Sequence, residues 1–437
     1  MRPDAGGEGA PLPGMGLSIA MARRDEGRME RLPDFLRLNA PWLAAGALLS
    51  FCSSFGQTFF IAVFAGEIRA GHGLSHGEWG GLYSLATMAS AAVMLFAGGV
   101  TDRIRVRWIG LATFAGLAAA ALVMAGAHAV WTLWIAVFLL RLMGQGMMSH
   151  TAYTAMARWF TGARGRATAV AGIGFAAGEM ILPVSFVALM GLFDWRLLWV
   201  AVAVGLILVA PLLWRLLRTE RTPQSFAAEP GGAGMDGIMW TRRAMLGHWL
   251  FWAMLPAILG PPMWNTAFFF HQVHIAEVKD WGHASLVAMF PAYTASAVGA
   301  MMVSGWLIDR FGSGRLAGVY LLPLAAGYAL FAQAPGVPGG LLALILIGVS
   351  SGVHNTMASA FWAEYYGTAH IGAIRAATGA VMVLGSAMGP AVTGALIDRG
   401  VSFPAQSVAI AAYFAAASLL AGLGAARATR RLLARPA

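Results

Sequence analysis

The stretch Gly98-Gly99-Val100-Thr101-Asp102-Arg103 returns as Gly305-Trp306-Leu307-Ile308-Asp309-Arg310, at an offset near 207 residues. Each copy closes an apolar run of roughly twenty residues and opens a short basic loop. An offset close to half of a 437-residue chain makes the molecule two copies of one plan. Runs of that length match the hydrocarbon thickness of a bilayer, so the repeated unit is a set of membrane helices.

Composition agrees. Apolar residues make up 59% of the chain and charged residues only 11%, and the mean hydropathy is +0.69. These values lie outside the range of soluble domains. A net charge of +10 raises the possibility of nucleic acid. The arginines, however, sit in short clusters between apolar runs, where a nucleic-acid surface would gather them on one soluble face. They read as topology signals, and no nucleic-acid partner is expected. Cys52 is the single cysteine, so no intramolecular disulfide or cysteine-based metal cluster can form. No strand-borne phosphate-binding loop occurs, so neither a nucleotide drive nor any other cofactor is expected.

Twelve runs are long enough to cross, centred near residues 54, 90, 117, 144, 178, 205, 259, 295, 323, 350, 383 and 416. The expected fold is all-α and integral to the membrane, with twelve transmembrane helices in two pseudo-symmetric six-helix bundles. Residues 1–38, rich in Gly, Pro and mixed charge, read as a cytoplasmic tail without a secretory leader. Residues 39–218 form the first bundle, 219–243 a polar linker, 244–428 the second bundle and 429–437 a short tail. All basic residues but five fall in the tails and in alternate connections. Arg69, Arg196, Lys279 and Arg399 lie at the opposite ends, and Arg141 lies within a span. The bias puts both termini in the cytoplasm, with a bacterial inner (plasma) membrane as the expected location.

The halves match further. Gln57-Thr58-Phe59-Phe60 answers Asn265-Thr266-Ala267-Phe268, and Glu67-Ile68-Arg69 answers Glu277-Val278-Lys279. Arg158-Trp159-Phe160 answers Glu364-Tyr365-Tyr366, Arg166-Ala167 answers Arg375-Ala376, and Asp194-Trp195-Arg196 answers Asp398-Arg399. Over residues 38–430 the chain resembles the major facilitator superfamily. That family's loop signature, G-x-x-x-D-R-x-G-R-K, is met by Gly98, Asp102, Arg103 and Arg107, with Arg105 in place of the second glycine. The second copy keeps Gly305, Asp309, Arg310 and Gly312. Arg141-Leu142-Met143-Gly144-Gln145-Gly146 fits the family's span-four signature. Arg158-Trp159-Phe160, Gly174 to Glu179 with Pro183, and Phe270-His271-Gln272 are similar to the monocarboxylate and oxalate–formate exchanger branch. The resemblance implies a secondary transporter whose halves rock about a central site, with the two Asp-Arg motifs as cytoplasmic gate latches.

Charge inside hydrocarbon costs about 2.5–3.5 kcal/mol on insertion scales, so it needs a partner or a wet cavity. Arg141 precedes Arg158 by a helical length of roughly 25 Å, and Glu179 follows Arg166 by roughly 20 Å. In antiparallel neighbours these depths coincide, so an Arg141–Glu179 pair is expected near the central cavity. It would act either as an anion and proton site or as a structural tie. His271 and His274 lie one turn apart, with Glu277 another turn on. Metal, proton, gating and packing roles are all open to them, though a fourth metal ligand is lacking. His354-Asn355 sits near the repeat position of Met148-Ser149, beside His150, where the side chains can face the cavity or make interhelical bonds. Gln57, Tyr83, Asn265 and Trp264 are further lining candidates.

The function these residues point to is transport of a small organic solute, a monocarboxylate-like anion, by alternating access, with proton coupling or exchange. Its partners are the solute, the bilayer and protons. Drug efflux by proton antiport, or a non-transporting sensor on the same fold, are the alternatives. No nucleophile–base set or HExxH sequence supports an enzyme.

Overall fold

The computed structural model describes residues 32–97, 101, 104–160, 163–219 and 233–433. Among these, ten helices are long and apolar enough to cross a membrane. They are His76–Ala97, Val106–Ala125, Val130–Trp159, Arg164–Met190 and Trp195–Leu216 in the first half. The second half contributes His283–Phe311, Ser313–Gln333, Val337–Tyr366, Ile371–Asp398 and Phe403–Arg430. The first and seventh of the twelve expected spans fall outside these ten. Span one is Ala40–Ser53, then a tight turn at Ser54–Gly56, an extended Gln57, and the short helices Thr58–Ile61 and Ala65–His72. Span seven is Trp249–Phe270, which carries Pro256, Pro261 and Pro262 inside the helix. Span one is thus broken outright, while span seven stays helical through three prolines. Such backbone survives at membrane depth only where protein surrounds it or a cavity solvates it.

Two segments outside the bundles carry structure of their own. Leu32–Leu38, assigned above to the tail, is a helix lying at 84° to the helix that follows. Residues 219–243 are not wholly a free linker. Met235 is buried, Trp240 packs edge-on against Tyr366, and Ala233 bridges to Gly367.

Within the halves, span one packs on span five, span three on span six, span eight on span ten, and span seven on spans eleven and twelve. Span two against span eleven, span five against span eight and span one against span seven make contacts between halves. One end of the bundle carries the arginine clusters, and we call it the basic end. At the other end two of the four off-pattern cations have local work. Arg196 donates to the carbonyls of Ala125 and Ala127 at 2.9 and 2.6 Å. Lys279 does the same for Ala332 and Ala334 at 3.1 and 3.0 Å. Each neutralises the free carbonyls where a span of its own half ends, a position that favours a cation.

Candidate functional site

Span four changes its winding where it meets Arg141. Residues Arg141–Met148 are π-helical, a widened turn that commonly marks functional positions. Gly144 allows this, because span one comes so close that a Cβ there would strike the Gly56 backbone. The Gly56–Gly144 approach brings the unpaired carbonyls of the span-one break to the guanidinium. Arg141 is 1% exposed and donates to Gly56 O at 3.2 Å and Thr58 Oγ1 at 3.4 Å. Its guanidinium carbon lies 5.3 Å from the centre of the Tyr83 ring, and the Tyr83 hydroxyl shares a 2.6 Å bond with Thr58. Nε and Nη2 have no partner. A buried cation with two idle donors invites an anion.

Arg141 is among the residues that line a cavity of about 660 Å³ between the halves. Thr87, Met88, Ser90 and Leu95 of span two, Gln145, Ser149, His150 and Tyr153 of span four, and Ala376, Ala380, Val383 and Leu384 of span eleven line it. Arg141 is the only Arg, Lys, Asp or Glu among the described lining residues. Leu95 and Ala376 lie near the ends of their helices, so the cavity runs from the membrane middle to the basic end.

The far end is shut. There Asp398, at the end of span eleven, caps the N-terminus of span two. It accepts from Ser75 Oγ at 2.7 Å, His76 N at 3.0 Å and Gly77 N at 2.9 Å. Gly80 meets the Pro390 carbonyl and Gly394 meets His76, with no room for a Cβ at either glycine. Ser84 Oγ donates to the Ala387 carbonyl, and Gln272 Nε2 donates to Phe59 O at 3.0 Å. Three histidines fill the seal: the His76 ring lies 4.8 Å from that of His274 and 6.0 Å from that of His271. His271 Nε2 is 2.8 Å from Thr393 Oγ1, and His274 accepts from the Phe403 amide at 3.3 Å.

The expected Arg141–Glu179 pair does not form. Glu179 instead accepts from Thr294 Oγ1 of span eight at 2.8 Å, a bond between the halves. Span one stands between the two charges: Gly178 packs on Ser54 and Phe51, while Gly56 packs on the span-four backbone. Similar depth in consecutive helices did not imply adjacency, because a third helix fills the gap. His354 does not face the inter-half cavity. It lines a separate pocket inside the second half with Tyr320 and Met382, because span ten turns that face toward spans nine and eleven. Asn355 is exposed, and Asn265 is satisfied within its own half, donating to Ser351 Oγ at 2.8 Å and accepting from Tyr328 at 3.2 Å. Gln57 Nε2 lies 3.5 Å from Ser149 Oγ, at the edge of hydrogen-bond reach. Gly98, Asp102 and Arg103 lie outside the described residues. In the second copy Asp309 and Arg310 are exposed, Arg310 resting over Trp306 and Phe311, and a Cβ on Gly305 would enter open space.

Sequence reasoning missed Thr58, Thr294 and the roles of His76 and Asp398. One signal was present. Ser75-x-x-Glu78 is a capping box, with Ser75 N donating to Glu78 Oε2 at 2.8 Å and Glu78 N to Ser75 Oγ at 3.1 Å.

A broken span one, a largely apolar cavity between the halves and a seal at one end define a membrane protein built for access from alternate sides. The family model of the Major Facilitator Superfamily matches residues 46–390, and the chain belongs to that superfamily as a secondary transporter. No curated protein matches the chain in sequence. Among solved structures it is similar to a bacterial homolog of the human lysosomal transporter Spinster, inward-facing and unoccupied. That match has a TM-score of 0.65 and 16% identity over 91% of this chain and 98% of the other. The inward-facing, occupied form of such a homolog gives a TM-score of 0.62 and 17% identity, over 90% and 98%.

Proposed function

We propose that the protein carries an organic monoanion, a carboxylate with an apolar body, with Arg141 receiving the charged head. Arg141 among the cavity-lining residues, buried and with Nε and Nη2 unpartnered, is the observation that carries this reading. A guanidinium fork can give a carboxylate two parallel bonds, which a hydroxyl or amide solute would use less well. The cavity size and its Ala, Met, Leu and Val lining suit a body larger than a two- or three-carbon acid. A cationic drug finds no carboxylate among the described lining residues. These features favour the monocarboxylate-like reading over drug efflux.

In this reading the basic end faces the cytoplasm of a bacterial inner membrane, and the cavity is open inward. The Asp309-Arg310 latch is disengaged, as an open inner side requires. Glu179 is the coupling carboxylate. Neutral, it can keep Thr294 and the span-five to span-eight contact; ionised, it draws water into that contact and loosens it. Proton uptake and rocking of the halves are thereby linked. The test is flux into proteoliposomes across a panel of carboxylates of increasing chain length, with and without a pH gradient. Flux of medium-chain carboxylates that Arg141→Gln abolishes supports the reading. Flux of cationic dyes alone would overturn it, and binding without flux would point to a sensor.

A further inference from the structure

The pocket that holds His354 is distinct from the inter-half cavity. Span eleven separates them: Ala376, Ala380, Val383 and Leu384 face the large cavity, whereas Thr378 and Met382 face the small one. The small pocket has room of about 20 Å³, enough for one water-sized particle. Met254 of span seven, His354 and Met357 of span ten, and Met382 of span eleven are the heteroatom-bearing residues that line it, together with Tyr320 and Thr378. Phe361, Trp362, Ile258 and Ala358 close the rest.

Two of the polar groups are already used. The Tyr320 hydroxyl donates to Ala257 O at 2.9 Å, and Thr378 Oγ1 donates to Arg375 O at 3.1 Å. His354 is different. It is 5% exposed, its ring stacks on Tyr320 at 6.0 Å, and neither Nδ1 nor Nε2 has a partner. A water on either nitrogen would find few other polar atoms where two to four are needed. We infer that His354, Met254, Met357 and Met382 form a site for one soft monovalent cation, Cu(I) or its surrogate Ag(I).

The ligand chemistry selects the ion. Thioethers and imidazole are soft or borderline donors, which bind Cu(I) well and hard Mg²⁺ or Ca²⁺ poorly. Among the described residues no carboxylate or thiolate lines the pocket. A neutral donor set in hydrocarbon leaves a divalent ion with two uncompensated charges and a monovalent ion with one. Zn²⁺ is disfavoured on both grounds. Binding ties span ten to spans seven and eleven, and so would stiffen the second half without entering the solute path.

The experiment uses the full chain purified in detergent, with Cys52→Ala to remove the one thiol, and Ag(I) as the probe. After desalting, elemental analysis should find one Ag(I) per chain. X-ray absorption at the silver edge should show sulfur neighbours with one nitrogen. His354→Gln and, independently, the near-isosteric Met357→Leu should each lower Ag(I) affinity at least tenfold. Met302→Leu, at a 74%-exposed site, should leave it unchanged. Competition with a chromophoric Cu(I) chelator should give the same order. Equal silver retention in all four proteins, or none in the parent, would overturn the assignment and leave the methionines as packing. Because Met357→Leu conserves volume, loss of binding with an unchanged melting temperature separates a lost ligand from a damaged fold.

Discussion

The two halves share a plan but differ at the position that matters for solute. In the first half Arg141 sits on a widened helical turn beside the broken span one, with two donors idle. At the repeat offset near 207 residues the second half has Gly348, and a Cβ there would strike the Tyr293 carbonyl and Ser296 of span eight. Where one half opens a charged niche, the other closes backbone on backbone. The polar residue of span seven, Asn265, is consumed by Ser351 and Tyr328. Duplication supplied the frame, and divergence put the charge on one side only. A similar divergence marks the repeated aspartates. Asp194 caps its own span, accepting from Arg196 N at 2.8 Å, whereas Asp398 reaches across to cap span two of the other half.

The contrast can be broken most forcefully at Arg141. Arg141→Met should abolish carboxylate uptake and leave the melting temperature unchanged or raised. A buried cation with idle donors contributes little to folding, and an apolar residue of similar length is often tolerated. If Arg141 were only a structural tie, the variant would instead melt several degrees lower. A smaller effect is expected at Glu179. Glu179→Gln keeps a hydrogen-bond acceptor for Thr294 but cannot ionise, so the roughly tenfold stimulation expected of a one-unit pH gradient should vanish while exchange persists. Pronounced pH dependence in the variant would remove Glu179 from coupling.

Asp398→Ala should act on the seal alone. Loss of a helix cap costs about 1 kcal/mol, which shifts the balance toward far-end opening roughly fivefold. Maleimide labelling of a cysteine placed at Ser84, in a Cys52→Ala background, would report it; unchanged labelling would mean that Asp398 does not hold the seal. The least effect on transport is expected from Asn265→Ala. Breaking its bonds should lower stability by about 1–2 kcal/mol and leave uptake within threefold. A larger loss of uptake would return Asn265 to the solute path.

The architecture was legible in the sequence because hydropathy and arginine placement are one-dimensional properties. Spans, halves and the basic end follow from run length and charge alone. Arg141 was legible for the same reason, as a charge where none is expected. Its partner was not. Depth can be counted along a helix, but which helix stands beside it depends on close approaches such as Gly56 to Gly144 and Gly178 to Ser54, set by three-dimensional packing. His354 shows the same limit. Its place in span ten followed from the repeat, while its facing depended on the rotation of span ten against spans seven, nine and eleven.

The measurement that bears most directly on Arg141 as the receiver of an anionic head is equilibrium binding of a medium-chain carboxylate against its neutral amide. The parent protein should prefer the carboxylate by at least tenfold, and Arg141→Met should bind the two alike. Equal binding of acid and amide by the parent, or an intact preference in Arg141→Met, would contradict that role.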